Sequence, residues 1–163
     1  MNMSSKKKAR AFASTVHAGD KYNGGSYVEN HLDKASELVE ELLDEKLVTT
    51  DIPLDTLQTI AYLHDTIEDH PDKVNKRKLQ AKFGNEVADA VHTLTHTKQD
   101  LDYAEHIVRV IQGPPAAAIV KLADLGANLE AFSKTKKPSS YEKQRAVKYK
   151  LAALLITYYI KDN

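Results

Sequence analysis

The 163-residue sequence contains no cysteine and no tryptophan, and only six glycines and five prolines. The absence of cysteine excludes disulfides, thiolate nucleophiles and cysteine-ligated zinc or iron–sulfur centres, so any bound metal needs His, Asp or Glu ligands. No apolar run approaches the roughly 20 residues of a membrane-spanning helix, and the start, MNMSSKKKAR, does not resemble a signal peptide. We therefore expect a cytoplasmic protein with no membrane partner.

The sequence also lacks net charge, because 23 Lys and Arg residues balance 23 Asp and Glu residues. A neutral chain has no general attraction for polyanions, so we expect no nucleic-acid partner. With 42% apolar and 28% charged residues, the composition is typical of one globular domain. We interpret residues 1–163 as that single domain.

Apolar residues recur with helical spacing, and strand-like alternation is not sustained anywhere. One stripe with the spacing i, i+3, i+4, i+7 consists of Ala9, Phe12, Ala13 and Val16. Gly84 fits a helix stop and Asn85 the N-cap of the next helix, so two helices are expected to meet at a sharp corner there. The sequence therefore predicts an all-α fold of about eight helices.

Two segments of the second half of the chain are expected in the core. Residues 115–129 are apolar almost all round, which is typical of a helix buried in the middle of a helical domain. The last helix, after Pro138, is expected to close the core with its large apolar side chains, namely Val147, Leu151, Leu154, Leu155 and Tyr158.

Ionisable side chains concentrate in one short segment, on a predicted helix that starts near Leu54: His64, Asp65, Glu68 and Asp69. Residues three and four apart in a helix are neighbours, so the four groups share one flank. Three carboxylates at the edge of a core repel each other and lose hydration unless a cation or hydrogen-bond donors compensate. We interpret this segment as part of a metal site rather than as a solvated acidic helix end.

Asp124 lies inside the apolar segment 115–129, where an unpaired carboxylate is very unfavourable. Three partners can compensate its charge: a metal ion, a salt bridge to Lys121, or a hydrogen bond to Asn128. We favour the metal ion, because other segments of the chain offer further metal ligands.

His31 shares a helical face with Ala35 and the apolar residues that follow, so its ring is expected to point inward. Together with His64, Asp65 and Asp124 it makes a set of two imidazoles and two carboxylates from three helices. This set suits a divalent ion that keeps coordination positions open to water. Mn²⁺ is our first choice, with Fe²⁺, Co²⁺ and Zn²⁺ as alternatives.

These residues match the order and spacing of the H…HD…D signature of the HD-superfamily metal-dependent phosphohydrolases. The sequence most closely resembles the hydrolase domains of RelA/SpoT-type enzymes and the small alarmone hydrolases, through the segments AFASTVHAG, AYLHDTIEDH and VKLADLGANL. The resemblance implies an all-helical fold, a Mn²⁺ site and a small nucleotide substrate. It also implies removal of pyrophosphate from the 3′ position of (p)ppGpp.

Two acidic residues, Glu68 and Asp69, lie one helical turn beyond the His64-Asp65 pair. From there they can reach a water molecule near the metal, and we assign both to catalysis. We expect Glu68 to act as the acid/base group and Asp69 to orient the water or to support a ligand.

The placement of four further residues relative to the family motifs suggests contacts with the substrate. Lys21 and Lys98 are candidate phosphate clamps, and Asn128 is a candidate contact to the sugar or the scissile phosphate. Tyr27 is a candidate contact in the loop before the first ligand.

This loop differs from the family pattern in two respects. Lys21 and Tyr22 stand where the family usually has Arg and Lys, so a rigid forked donor becomes a point charge. Tyr27 is also separated from His31 by one residue more than the family's tyrosine is. Two alternatives stay open: an HD phosphohydrolase acting on another nucleotide, such as a nucleoside phosphate or NADPH, and a catalytically silent nucleotide-binding module.

Four of the remaining histidines match no part of the signature, whereas His17 belongs to the matched segment AFASTVHAG. His17 ends the apolar stripe of the first helix, and we expect it to support the loop from Gly19 to Ser26 rather than to touch substrate. No role is assigned to the other four, which are His70, His92, His96 and His106.

Overall fold

The computed structural model describes residues 4–97 and 102–162, and within them it confirms the all-α prediction. In chain order the elements are α1 (Ser5–Val16), β1 (Lys21–Tyr22), β2 (Gly25–Ser26), a π-helix (Val28–Leu32), α2 (Asp33–Asp44), α3 (Leu54–Leu63), α4 (Thr66–Asp69), α5 (Lys76–Phe83), α6 (Asn85–Leu94), α7 (Tyr103–Gln112), α8 (Pro115–Ser133) and α9 (Ser140–Asp162). The two strands form a small antiparallel hairpin.

Local sequence signals start and stop several of these helices. Side-chain oxygens accept hydrogen bonds from first-turn backbone amides in four helices, through Ser4 in α1, Asn75 in α5, Asp102 in α7 and Ser139 in α9. Gly84 ends α5 with φ 88°, a backbone conformation that favours glycine, and the expected corner lies there. Asn85 is not the cap of the next helix, because Gly84 takes that place and α6 begins at Asn85 itself.

The buried helix predicted from residues 115–129 lies at the centre of the bundle. This helix, α8, contacts α2, α3, α6, α7 and α9, and most of its residues between Ala116 and Ala127 are buried. α1 and α2 both pack against α3, whose Leu57, Ile60 and Leu63 are fully buried. No helix in the described part of the chain is both long and apolar enough to cross a membrane.

The prediction that the large apolar residues of the last helix close the core is wrong. Val147, Leu151, Leu154, Leu155 and Tyr158 are 58%, 63%, 68%, 48% and 69% exposed. The buried face of α9 instead carries Ala146, Ala152 and Ile156. Residues two apart in a helix are rotated by about 200°, so Leu154 and Ile156 lie on nearly opposite faces. The small alanines favour close packing of α9 on α8, and the bulky stripe is left outside.

The chain also interrupts the helix that was predicted to carry all four ionisable groups of the HD segment. α3 ends at Leu63 and α4 begins at Thr66, so His64 and Asp65 lie between two helices. At this point, side-chain donors form hydrogen bonds with backbone carbonyl oxygens near the end of α3. The Thr66 hydroxyl donates to the Leu63 carbonyl at 2.7 Å, and His64 Nδ1 donates to the Ala61 carbonyl at 2.7 Å.

The residues from Val28 to Leu32 form a π-helix that leads directly into α2. Its hydrogen bond from the Asp33 amide to the Val28 carbonyl spans five residues, so the turn holds one residue more than an α-helical turn. Tyr27 and His31 remain neighbours, with ring centroids 5.1 Å apart. The wide turn therefore leads from Tyr27 into α2 with the Tyr27 and His31 rings side by side.

Candidate active site

Three separate parts of the fold bring His31, His64, Asp65 and Asp124 together. His31 Nε2 lies 3.4 Å from Asp65 Oδ2 and 3.3 Å from Asp124 Oδ1. His64 Nε2 lies 2.9 Å from Asp65 Oδ2 and 3.4 Å from Asp124 Oδ1. Ligand atoms bound at about 2.0–2.2 Å to one ion lie about 3.0–3.6 Å from one another. Three of these side chains, His31, His64 and Asp65, offer ligand atoms within 4.8 Å of one another and could hold one divalent ion, while Asp124 lies beside the two histidines.

The hydrogen bonds of His64 favour the form of the ring that binds metals. A carbonyl oxygen can only accept, so the contact with Ala61 requires the hydrogen on Nδ1. Nε2 faces the carboxylates but is buried without a hydrogen-bond partner among the described residues. Because Asp65 and Asp124 raise the pKa of His64, Nε2 also carries a hydrogen when no cation is bound, and a cation bound between the ring and these carboxylates would take the place of that hydrogen.

In this cluster the carboxylates raise the pKa values of the histidines, and the histidines lower the pKa values of the carboxylates. Burial alone would lower the pKa of His64, but Asp65 and Asp124 raise that pKa well above its usual value. Burial alone would raise the pKa of Asp65, but His64 and His31 hold it far below its usual range. Asp124 likewise has a pKa well below the usual value, although burial opposes it. Both carboxylates are therefore ionised near neutral pH and able to act as ligands.

Asp124 makes both of the protein contacts that compete with the metal interpretation. Its Oδ2 accepts a hydrogen bond from Lys121 Nζ at 2.9 Å, and its Oδ1 accepts one from Asn128 Nδ2 at 2.8 Å. Asn128 is held in turn by the Tyr22 hydroxyl, which donates to Asn128 Oδ1 at 3.0 Å. These contacts fix the carboxylate with Oδ1 facing the two histidines.

Asp65 is held by the loop that precedes the π-helix. The Tyr27 hydroxyl donates to Asp65 Oδ2 at 2.5 Å. This is the same oxygen that lies beside His31 and His64. Tyr27, predicted to contact substrate, is therefore in direct contact with a candidate metal ligand.

Glu68 and Asp69 lie on α4, beside the candidate ligands, and are exposed in the same cleft. Glu68 Oε2 accepts a hydrogen bond from the His96 amide at 2.7 Å. Partial burial and the charge of Asp65 raise the pKa of Glu68. Partial burial, Asp65 and Glu68 raise the pKa of Asp69 to about 6. Both groups can therefore exchange protons at a pH closer to neutrality than ordinary carboxylates do.

Three of the four candidate ligands, His31, Asp65 and Asp124, line a cleft of about 330 Å³. Its positive groups are Lys121 and two residues of α9, Arg145 and Lys148. Lys148 Nζ lies 4.3 Å from the centroid of the Tyr103 ring, and Arg145 Nη2 donates to the Tyr149 hydroxyl at 3.0 Å. The cleft thus contains both the acidic pair Glu68 and Asp69 and cations that suit phosphate oxygens.

The four predicted substrate contacts differ in whether they line the cleft. Tyr27 and Asn128 both line the cleft. Lys21 is exposed on β1 and is not among the described residues that line the cleft, where the hairpin contributes Tyr22 instead. Lys98 lies outside the described residues.

Sequence reasoning missed several groups of the cleft. Arg145, Lys148 and Tyr149 share one helix face because they are three and four residues apart, a spacing that could have been noticed. His96 and His106, to which no role was assigned, also line the cleft. They come from the end of α6 and from α7, and nothing in the sequence relates them to the HD motif.

The expectation for His17 is met by its contacts with the loop. Its ring is fully buried, stacks on Tyr27 with centroids 4.8 Å apart, and lies with Nδ1 2.9 Å from Asp20 Oδ2. His17 supports the loop from the protein interior and does not line the cleft defined by the described residues.

No protein-family model and no curated protein matches this sequence. Among solved structures, the chain is similar to a metazoan ortholog of SpoT that hydrolyses ppGpp and plays a role in starvation responses. The superposition has a TM-score of 0.71, covers 96% of this chain and 87% of the other, and pairs residues that are 17% identical. At this identity the similarity establishes the fold alone. The chain therefore has the fold of a SpoT-type HD hydrolase.

Proposed function

We propose that this protein is a metal-dependent phosphohydrolase that removes pyrophosphate from the 3′ position of (p)ppGpp. The observation that supports this proposal is the close grouping of His31, His64 and Asp65, whose ligand atoms lie within 4.8 Å of one another, with Asp124 Oδ1 3.3 Å and 3.4 Å from the two histidine nitrogens. The SpoT-like fold and the cationic cleft agree with it.

Phosphate esters and anhydrides resist hydrolysis because their negative oxygens repel a nucleophile. A divalent ion bound by His31, His64, Asp65 and Asp124, with Mn²⁺ as first choice, would supply Lewis acidity that lowers the pKa of a water and masks phosphoryl charge. Lys121 holds Asp124 in place for this role, and Tyr27 does the same for Asp65.

The protein's own acid pair then manages the proton of the attacking water. Glu68, with its raised pKa, accepts that proton and later returns it to the leaving group. Asp69 is ionised above about pH 6 and can accept a hydrogen bond from the same water, which orients it. Glu68 is itself held by the His96 amide, so its second oxygen remains available to water.

The position of Lys21 supports a second candidate substrate class. Because Lys21 is exposed on β1, the cations that can bind substrate phosphates in the described cleft come from α8 and α9. A cleft built in this way also suits another phosphorylated nucleotide, such as a nucleoside phosphate or NADPH. A nucleotide-binding module that hydrolyses nothing is the third candidate.

A substrate panel distinguishes these candidates. Mn²⁺-loaded protein is incubated separately with ppGpp, pppGpp, nucleoside mono- and triphosphates, and NADPH. We expect pyrophosphate release from ppGpp and pppGpp only. Phosphate release from NADPH or a nucleoside phosphate would transfer the assignment to the second candidate, and binding without turnover would transfer it to the third.

Lys148→Ala is expected to raise KM for the substrate by about tenfold or more. A hydrogen bond to a charged group contributes about 1.5–3 kcal/mol, and about 1.4 kcal/mol corresponds to a factor of ten. The matched control is Lys150→Ala on the same helix, which removes an exposed lysine that does not line the described cleft. Equal KM values for the two variants would remove Lys148 from the binding site.

A further inference from the structure

A second group of histidine and aspartate side chains lies beside the candidate active site. His17 caps the end of α1, Asp20 belongs to the loop before β1, and His70 follows α4. His17 Nδ1 and His70 Nε2 lie 2.9 Å and 2.6 Å from the same oxygen, Asp20 Oδ2. All three atoms lie within 4.8 Å of one another.

The loop backbone holds Asp20 in this position. Gly19 has φ 93°, a conformation that side chains rarely adopt, and it folds the chain back on the end of α1. The Asp20 amide then donates to the His17 carbonyl at 3.0 Å, and the Tyr27 amide donates to the Asp20 carbonyl at 3.1 Å. The carboxylate is therefore presented to both rings by a fixed turn.

In either neutral tautomer of His17, at least one ring nitrogen has no suitable hydrogen-bond partner among the described residues. If Nδ1 carries the hydrogen, Nδ1 donates to Asp20 and the buried Nε2 is an acceptor with no hydrogen-bond partner in residues 4–97 and 102–162. If Nε2 carries the hydrogen, that donor has no partner and the Nδ1 lone pair faces a carboxylate oxygen. A cation bound by Nδ1 and Oδ2 would remove the repulsion in the second case, once these atoms move from their hydrogen-bonding separation of 2.9 Å to the about 3.0–3.6 Å of atoms that share one ion.

We propose that His17, Asp20 and His70 form a second divalent cation site, for which Zn²⁺ is the best-suited ion. Two imidazoles and one carboxylate are the protein ligands of one common class of zinc site. Zn²⁺ also binds such nitrogen and oxygen ligands more tightly than Mn²⁺ or Fe²⁺ does. The inference does not rest on the proposed phosphohydrolase activity.

The burial of the three side chains fits a site that is open on one side. The side chain of His17 is 0% exposed, that of His70 is 16% exposed, and that of Asp20 is 35% exposed. Water can therefore complete the coordination at the exposed edge, while the buried His17 ring binds the ion on the side that faces the protein interior.

The site joins two segments that contribute to the cleft. His70 directly follows Glu68 and Asp69, whereas Asp20 precedes the hairpin and loop that carry Tyr22 and Tyr27. An ion shared by His70 and Asp20 ties the loop to the end of α4. We therefore assign this site a positioning role rather than a role in the chemical step.

The stoichiometry of Zn²⁺ binding tests the proposal. Chelator-treated protein is titrated with Zn²⁺, and bound metal is counted by elemental analysis after equilibrium dialysis. We expect two ions for the wild type, one for His70→Gln, and one for Asp65→Asn, which damages only the first cluster. Affinity at the second site should fall at least about 100-fold in His70→Gln, because loss of even an indirect supporting contact costs about 10–100-fold.

Two controls keep this test decisive. Asp20→Asn retains a hydrogen-bond acceptor but not the charge, so it should also bind one ion if the site is real. His92→Gln removes an exposed histidine of α6 and should leave two ions. An ion count that neither His70→Gln nor Asp20→Asn lowers below that of the wild type, or the loss of an ion in His92→Gln, would overturn the proposal.

Amide hydrogen exchange provides a second test. If the cluster is only a hydrogen-bonded structural feature, adding Zn²⁺ should not change the exchange rates of the loop. Zn²⁺ should slow exchange across residues 19–27 in the wild type and in Asp65→Asn, but not in His70→Gln. Equal exchange with and without Zn²⁺ in the wild type would contradict the positioning role, even if two ions bind.

Discussion

Asp124→Ala is expected to abolish turnover and to remove the stabilisation of the folded protein by excess Mn²⁺. The variant removes one of the four candidate ligands, and the Lewis acidity of a bound ion contributes several kcal/mol to catalysis. At about 1.4 kcal/mol for each factor of ten, we expect a loss of activity of about 10³-fold or more. The measurement is kcat/KM at saturating Mn²⁺ beside the untreated and EDTA-treated wild type.

The same variant separates metal binding from ordinary stability. An ion that binds only the folded state at 100 times its Kd stabilises the protein by about 2.7 kcal/mol, so the wild type should show a Mn²⁺-dependent rise in Tm that Asp124→Ala lacks. Asp124→Ala also removes the carboxylate that lies 2.9 Å from the Lys121 ammonium. The buried charge of Lys121 then lacks this partner, which lowers the free energy of unfolding by up to about 3–5 kcal/mol.

Asp124→Asn is the matched control, because it keeps an oxygen acceptor for Lys121 while removing the negative charge. It should be more stable than Asp124→Ala without Mn²⁺ but equally inactive. Wild-type activity in either variant would eliminate Asp124 as a ligand.

Glu68→Gln is expected to lower kcat by about 10²- to 10⁴-fold while leaving Mn²⁺ affinity and the Mn²⁺-dependent rise in Tm unchanged. General acid–base catalysis by one positioned group contributes about this factor. The substituted side chain keeps an amide oxygen that can accept the hydrogen bond from the His96 backbone amide, so the local structure should persist. Single-turnover kinetics at saturating substrate give the rate of the chemical step.

Glu37→Gln is a suitable control for this variant, since Glu37 is an acidic residue of α2 whose side chain is 66% exposed. It should retain wild-type kcat. If Glu68→Gln also retained wild-type kcat, the proton would have to be handled elsewhere, and Asp69 would be the next residue to test. A loss of Mn²⁺ binding in Glu68→Gln would instead make Glu68 a ligand.

The helices, the buried α8 and the inward direction of the candidate ligands follow from short stretches of sequence. Periodicity places His31 and Asp124 on buried helix faces without knowledge of the neighbouring helices. The adjacency of His64 and Asp65 likewise needs no tertiary information. The structure adds that these local features meet at one point, which the sequence suggests only through the order of the motifs.

Other features depend on how helices are arranged in space and are not encoded locally. α9 carries apolar residues on two opposite faces, and only packing against α8 determines that Ile156 is buried while Leu154 is exposed. For the same reason Lys148 reaches the cleft and Lys21 does not, although both look like ordinary surface charges in the sequence. The end of α3 at Leu63 depends on side-chain hydrogen bonds that periodicity does not report.

The π-helix from Val28 to Leu32 has a consequence for how distant relatives of this protein are recognised. An inserted residue inside an α-helix would normally rotate everything beyond it by about 100° and turn a functional ring away from its partners. Here the π-turn holds one residue more than an α-helical turn, and His31 faces Asp65 and Asp124. A comparison that counts residues between Tyr27 and His31 would score the pair as misaligned, whereas one that compares ring positions in space would recover it.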